Sequence, residues 1–156
     1  MKLFTLVLLI LVLFKVEIVA QFSIDNFLDG SFNRTYTSVK DSLAEKKIEE
    51  KQSMGIKTLM YYDYYEPLSI QIGFMFKPDG NLLGRVIGNG KEDEESANKL
   101  FDILKELLVT KFGAIYTSNS MLGVTMLSWT GNDHYSVMLT KKGEETMMML
   151  MKKQKK

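Results

Sequence analysis

SANKLFDILKELLVTKFG, residues 96–113, places Ala97, Leu100, Phe101, Leu104, Leu107, Leu108 and Phe112 at the spacing of one helical face. Polar residues Asn98, Lys99, Asp102, Lys105, Glu106 and Lys111 fill the other positions. The ends agree with the middle. Glu92, Asp93, Glu94 and Glu95 sit where a helix N-terminus favours negative charge, Lys111 sits where the C-terminus favours positive charge, and Gly113 suits a C-terminal cap. A helix with one apolar stripe has to bury it against another layer. The segments on either side supply that layer.

Upstream, Leu68, Ile70, Ile72, Phe74 and Phe76 alternate with Ser69, Gln71, Gly73, Met75 and Lys77, the period of a half-buried strand. Residues 56–66, rich in Tyr and Met, form a strand pattern that stops at Pro67, and residues 82–87 form another. Between the last two, Pro78-Asp79-Gly80-Asn81 has turn chemistry. Downstream, residues 122–130, the positions Tyr135, Val137 and Leu139, and residues 146–151 read as three more strands. Gly131-Asn132-Asp133 and Lys142-Gly143-Glu144 are the turns between them. Residues 36–51 read as a first helix with a thin stripe of Val39, Leu43 and Ile48, ended at Gly55, and residues 21–35 as a lead-in segment. The expected fold is α+β, a two-layer antiparallel sheet with helices on one face, in the order α-β-β-β-α-β-β-β. That order makes residues 36–151 one domain, and it also accommodates two tandem α-βββ units, 36–90 and 91–151.

At the start of the chain, Lys2 precedes an apolar run over residues 3–14, and Ile18-Val19-Ala20 precedes Gln21. This is the pattern of a signal peptide over residues 1–20. The run is shorter than the ~20 residues of a spanning helix. Lengthening it would bury Lys15 and Glu17 at roughly 2.5–3.5 kcal/mol each. Export to the periplasm or the exterior is the expectation, an N-terminal membrane anchor its alternative. Removing residues 1–20 takes Lys2, Lys15 and Glu17 from the 20 basic and 19 acidic residues, leaving a balanced chain. Such a chain lacks the basic excess of a nucleic-acid binder, although Lys152, Lys153, Lys155 and Lys156 make the segment 152–156 a basic tail. There is no cysteine, which excludes disulfides, thiolate metal sites and a lipid-anchoring cysteine.

Ser38-Val39 to Leu43, Pro78-Asp79-Gly80 before a strand, Lys111-Phe112-Gly113 closing the long helix, and Trp129 before a hairpin together resemble small exported bacterial α+β proteins. The layout is similar to that of β-lactamase inhibitor proteins and, in each half, of SmpA/OmlA-type domains. The resemblance implies a non-catalytic binding role.

The chemistry-bearing residues give little to an enzyme. His134, the single histidine, adjoins Asp133 and precedes Ser136 by two, but neighbours on a strand point to opposite faces and no nucleophile elbow is present. The run 92–95 lacks the alternating ligands and glycine of a calcium loop, and residues 84–90 lack the lysine of a phosphate loop. Asn33-Arg34-Thr35 is a sequon that has meaning only in a eukaryotic secretory pathway. Tyr61, Tyr62, Tyr64 and Tyr65 put two rings on each face of one strand, and Met147, Met149 and Met151 share a face of another. Tyrosine suits interfaces and methionine suits adaptable surfaces. Thioethers at that spacing also suit Cu(I), for which no His or Cys stands nearby. The sequence implies no cofactor and no metal. It reads as an exported non-enzymatic binding protein with a protein partner, the binding surface drawn from those seven residues with either Tyr61 and Tyr65 or Tyr62 and Tyr64 on it and the other pair in the core. The alternatives are a structural component of an envelope assembly, a secreted hydrolase using His134, or a Met-based Cu(I) binder.

Overall fold

The computed structural model describes residues 22–91, 93–130 and 134–153. Residues 1–21, with the signal-peptide reading, lie outside that range. So do Glu92, the 131–133 turn with Asp133, and Lys155 and Lys156.

Two short helices, α1 (Ile24–Asp29) and α2 (Tyr36–Ser42), precede strands β1 (Glu49–Ser53), β2 (Ile56–Tyr65), β3 (Leu68–Phe76) and β4 (Leu82–Asn89). The long helix α3 (Glu94–Phe112) follows, then β5 (Thr117–Met121), β6 (Val124–Trp129), β7 (Tyr135–Lys142) and β8 (Glu145–Lys152). The eight strands form a single sheet in the order β1-β2-β3-β4-β8-β7-β6-β5, with every pairing antiparallel. Each half of the chain is thus a four-stranded meander. The last strands of the two, β4 and β8, meet at the centre.

The long helix forms where its stripe requires. Asp93 caps it by accepting the Ser96 N–H at 2.7 Å and the Ser96 hydroxyl at 2.9 Å, and the Gly113 N–H donates to the Val109 carbonyl at 2.8 Å. Ala97, Leu100, Leu104 and Leu108 are fully buried. Leu100, Leu104 and Leu108 share one apolar cluster with Leu59 and Tyr61 of β2, Ile70 to Phe76 at alternate positions of β3, and Val137, Leu139, Met148 and Leu150 of β7 and β8. Phe27 of α1 and Val39 of α2 belong to the same cluster. The Phe27 ring lies 6.1 Å from that of Phe74, and Tyr36 meets Phe76 edge-on at 5.4 Å.

Three segments depart from the sequence expectation. The helix expected over 36–51 ends at Ser42, because residues 44–47 carry no large apolar side chain to continue the stripe. The chain then turns and adds Glu49–Ser53 as an edge strand. The lead-in contains helix α1, capped by Ser23 and anchored by the buried Ile24, Phe27 and Leu28. Residues 117–121, which lie before the first strand expected downstream of the long helix, form the edge strand β5. Both edge strands are closed by two-residue turns, Met54-Gly55 and Leu122-Gly123, with positive φ at all four residues. That is the geometry whose twist matches a hairpin. The order expected with three strands per half therefore becomes α-α-β-β-β-β-α-β-β-β-β.

Asn89 ties the centre together. The β4–β8 ladder ends at Gly88 and Met147, and beyond it Asn89 Oδ1 accepts the Thr146 N–H at 2.7 Å while its Nδ2 donates to the carbonyls of Glu144, at 2.8 Å, and Lys91. The Thr146 hydroxyl donates to the Ala97 carbonyl at 2.8 Å. One asparagine and one threonine thus join β4, β8 and the first turn of α3.

Candidate functional site

Strand alternation sorts the side chains into two sets, and the set that stays out of the core cluster is unusual. One row across the sheet runs Tyr62, Gln71, Gly88, Met147, Thr140, Met126, Asn119. The next runs Met60, Gly73, Val86, Met149, Met138, Ser128, Thr117, and a third runs Thr58, Met75, Gly84, Met151, Ser136. Met121 ends the same face of β5. Eight of the chain's 11 methionines, at 60, 75, 121, 126, 138, 147, 149 and 151, lie on this face, against Met148 alone in the core.

Glycine shapes the surface. A Cβ on Gly84 would stand 2.6 Å from Met75 Cε and 2.7 Å from Met151 Sδ, so the two thioethers lie over a backbone position that only glycine leaves clear. A shallow cavity of about 450 Å³ opens beside it over Gln71, Val86, Gly88, Val124, Thr140 and Met147. Asn89, Thr146, Lys142 and Glu145 complete its lining, the two charged residues at its turn end. Gln71 Nε2 donates to the Tyr62 hydroxyl at 3.0 Å, and from β2 to β6 the charged residues of this face are Lys142 and Glu145, opposite each other at the β7–β8 turn.

The expected binding residues divide between the faces. Tyr62 and Tyr64 are 52% and 68% exposed and join Met147, Met149 and Met151 on the methionine face. Tyr61 is 6% exposed on the core face, where burial, followed by the Asp63 charge, pushes its hydroxyl pKa up to about 12. Tyr65 packs half-buried against the core. The structure therefore removes Tyr61 and Tyr65 from that surface. It adds Met60, Met75, Met126 and Met138.

His134 lies at a separate cavity of about 240 Å³ with Ser31 and Asp29. Ser31 Oγ accepts the Asn33 N–H at 3.0 Å and the Asp29 carboxylate pairs with Lys111 at 2.7 Å, so both are engaged in holding the loop and helix ends. Among the described residues no three His, Asp or Glu side chains converge on one point. Asp93, from the acidic run, serves as the cap of α3, and the Ser96 N–H it accepts holds its carboxyl below the usual range. Among the described residues no helix is long and apolar enough to cross a membrane.

One functional group escaped sequence reasoning. Arg85, in the central strand β4, is 3% exposed and sits between Phe74 and Leu150 on the core face. Its Nη1 donates to the Phe27 carbonyl, and its guanidinium lies 4.5 Å and 5.3 Å from the ring centroids of Phe32 and Phe27. Nε and Nη2 have no hydrogen-bond partner among the described residues. Burial pulls its pKa down to about 10, which leaves it charged at neutral pH.

Comparison with protein-family models, with characterised proteins and with solved structures returned no match. The functional reading rests on the geometry.

Proposed function

We propose that this chain is an exported, non-enzymatic binding module whose three helices cover one face of the sheet and whose methionine face docks a protein partner. The observation that carries the reading is the segregation of eight methionines, with Tyr62 and Tyr64, onto the face opposite the core. Unbranched thioethers adapt to irregular apolar surfaces, which is why methionine recurs at binding faces. The six strands from β2 to β6, ~4.8 Å apart and about eight residues long, present on the order of 700 Å². A standard interface takes ~800 Å² per partner. Because the centre of the face carries no charge, the partner's contact surface is apolar and uncharged too, since an unpaired charge buried against it would be costly.

Substitution tests the reading. Met149→Glu and Tyr62→Glu should abolish capture of a partner from the native envelope and its binding after purification, with the thermal midpoint close to the parent. Glu106→Lys, on the polar side of α3, should bind as the parent does. Retained binding in both face variants, or their unfolding, would remove this face from the function. Self-association lost in the same variants would make the partner a second copy.

A further inference from the structure

We propose that the cavity between the α1–α2 loop and the start of β7 binds a small organic carboxylate, with Arg85 behind its wall as the counter-charge. The starting observation is a buried cation with no carboxylate paired to it among the described residues. Arg85 is 3% exposed, two of its three guanidinium nitrogens lack partners among the described residues, and its cross-strand neighbours are Phe74 and Leu150. Isolated buried charge is strongly disfavoured, and guanidinium is built for bidentate pairing with a carboxylate. Asp29, an acidic group among the described residues whose charge reaches Arg85, is already paired with Lys111 and largely in solvent.

The cavity is placed to supply the missing partner. Gly30 and Phe32 line it, and both also lie against Arg85: a Cβ on Gly30 would fall 2.2 Å from Nη1, and the Phe32 ring centroid is 4.5 Å from the guanidinium carbon. Phe32, on the loop between α1 and α2, belongs both to the cavity wall and to the surroundings of the guanidinium, so the proposed contact requires its ring to turn aside. The remaining lining is Ser31, Asn33, His134, Tyr135, Lys152 and Asp29, whose carboxylate is neutralised by Lys111 at 2.7 Å. Lys152 and the Asn33 side-chain amide carry hydrogen-bond donors, and the Tyr135 ring, 5.7 Å from that of Phe32, gives an apolar wall. At about 240 Å³ the space equals roughly eight waters at ~30 Å³ each, the size of a small organic acid.

Benzoate and its neutral isostere benzamide separate charge recognition from apolar filling. In a titration of the full chain followed by NMR, benzoate should shift the Arg85 Nε–Hε signal and the Gly30 amide and raise the thermal midpoint, while benzamide should do neither. Arg85→Met should weaken benzoate binding by about tenfold to a hundredfold, the loss expected for a charge-assisted hydrogen bond. Lys152→Met should weaken it less. Equal responses to benzamide, a response to inorganic phosphate alone, or unchanged benzoate affinity in Arg85→Met would each overturn the proposal. If Arg85→Met does not fold, the parent protein's Arg85 signal decides: no movement with benzoate ends it.

Discussion

Asn89 Oδ1 accepts the Thr146 N–H at 2.7 Å, one residue beyond the last ladder pair of β4 and β8. The asparagine also serves the Lys91 and Glu144 carbonyls, so it replaces ladder bonds at the seam of the two meanders. Asn89→Ala should cost about 1–3 kcal/mol, since each net hydrogen bond contributes roughly 0.5–1.5 kcal/mol and part of this network stays wet. Urea unfolding measures it. A cost no larger than that of an exposed control such as Asp102→Ala would mean that the seam is held by the sheet alone.

Acid should destabilise the protein through three exposed carboxylates whose folded pKa values are lowered. The Ser96 N–H lowers Asp93, the Asn81 N–H lowers Asp79, and the Lys40 ammonium followed by the Tyr36 hydroxyl lowers Glu50. With the folded pKa below the unfolded one, the stability each contributes is present above the unfolded value of about 4 and is lost as pH falls through the lower folded value. The thermal midpoint should therefore hold from neutral pH to about 5 and fall below about 4. Asp93→Asn keeps a cap but removes its titration. That variant should show a shallower acid branch, and an unchanged slope would take the cap out of the linkage.

How far the sequence reads this fold depends on whether a segment buries side chains. The α3 stripe and the β3 alternation were legible because burial on one face imposes a period; Leu100, Leu104 and Leu108 and the even positions 68–76 occupy the core as spaced. Strands β1 and β5 were not legible, because every residue of EEKQS and TSNSM is exposed and only backbone pairing defines them. The X-Gly turns at Met54-Gly55 and Leu122-Gly123 were the available signal. In β8 the period marks two sets, yet both are apolar, so it does not say which is covered. Arg85 was hidden by a shift of register. Phe76 pairs with Leu82 while Met75 pairs with Gly84, so Leu83 is an extra residue and Leu82 and Arg85, three apart, share the core face.

The assignment of β8 faces can be read by oxidation. Met147 is 37% exposed and Met148 is fully buried, although the two are adjacent and chemically identical. Dilute peroxide on the folded protein should convert Met147 to the sulfoxide well before Met148, with peptide mass spectrometry as the readout. In denaturant the two rates should converge. Equal rates in the folded protein would reverse the face assignment on which the docking proposal rests.

Core burial on α3 sets the scale for the fold as a whole. Leu104→Ala should cost about 2–5 kcal/mol, the range for deleting a fully buried leucine, and Glu106→Ala, one turn face away and exposed, should stay within about 0.5 kcal/mol. Small and equal effects would mean that the helix is not seated on the sheet through this stripe.

Arg85→Met should leave the ligand-free protein as stable as the parent or more so. Methionine keeps much of the apolar length that packs between Phe74 and Leu150, and it removes a charge whose Nε and Nη2 lack partners among the described residues. Replacing buried ionic groups by apolar ones of similar volume is often neutral or stabilising by about 1–4 kcal/mol. Two terms oppose this: the bond from Nη1 to the Phe27 carbonyl and the cation–π contacts with Phe27 and Phe32, of which exposed examples contribute ~0.5–1 kcal/mol and desolvated ones about 2. The desolvation of an unpaired guanidinium, several kcal/mol, exceeds them. A loss of more than about 2 kcal/mol in urea unfolding would show instead that the aromatic sandwich and the Phe27 carbonyl suffice to hold the charge, and Arg85 would then be a latch for α1. The comparison sharpens when benzoate is added, because the parent should gain stability by mass action and the methionine variant should not.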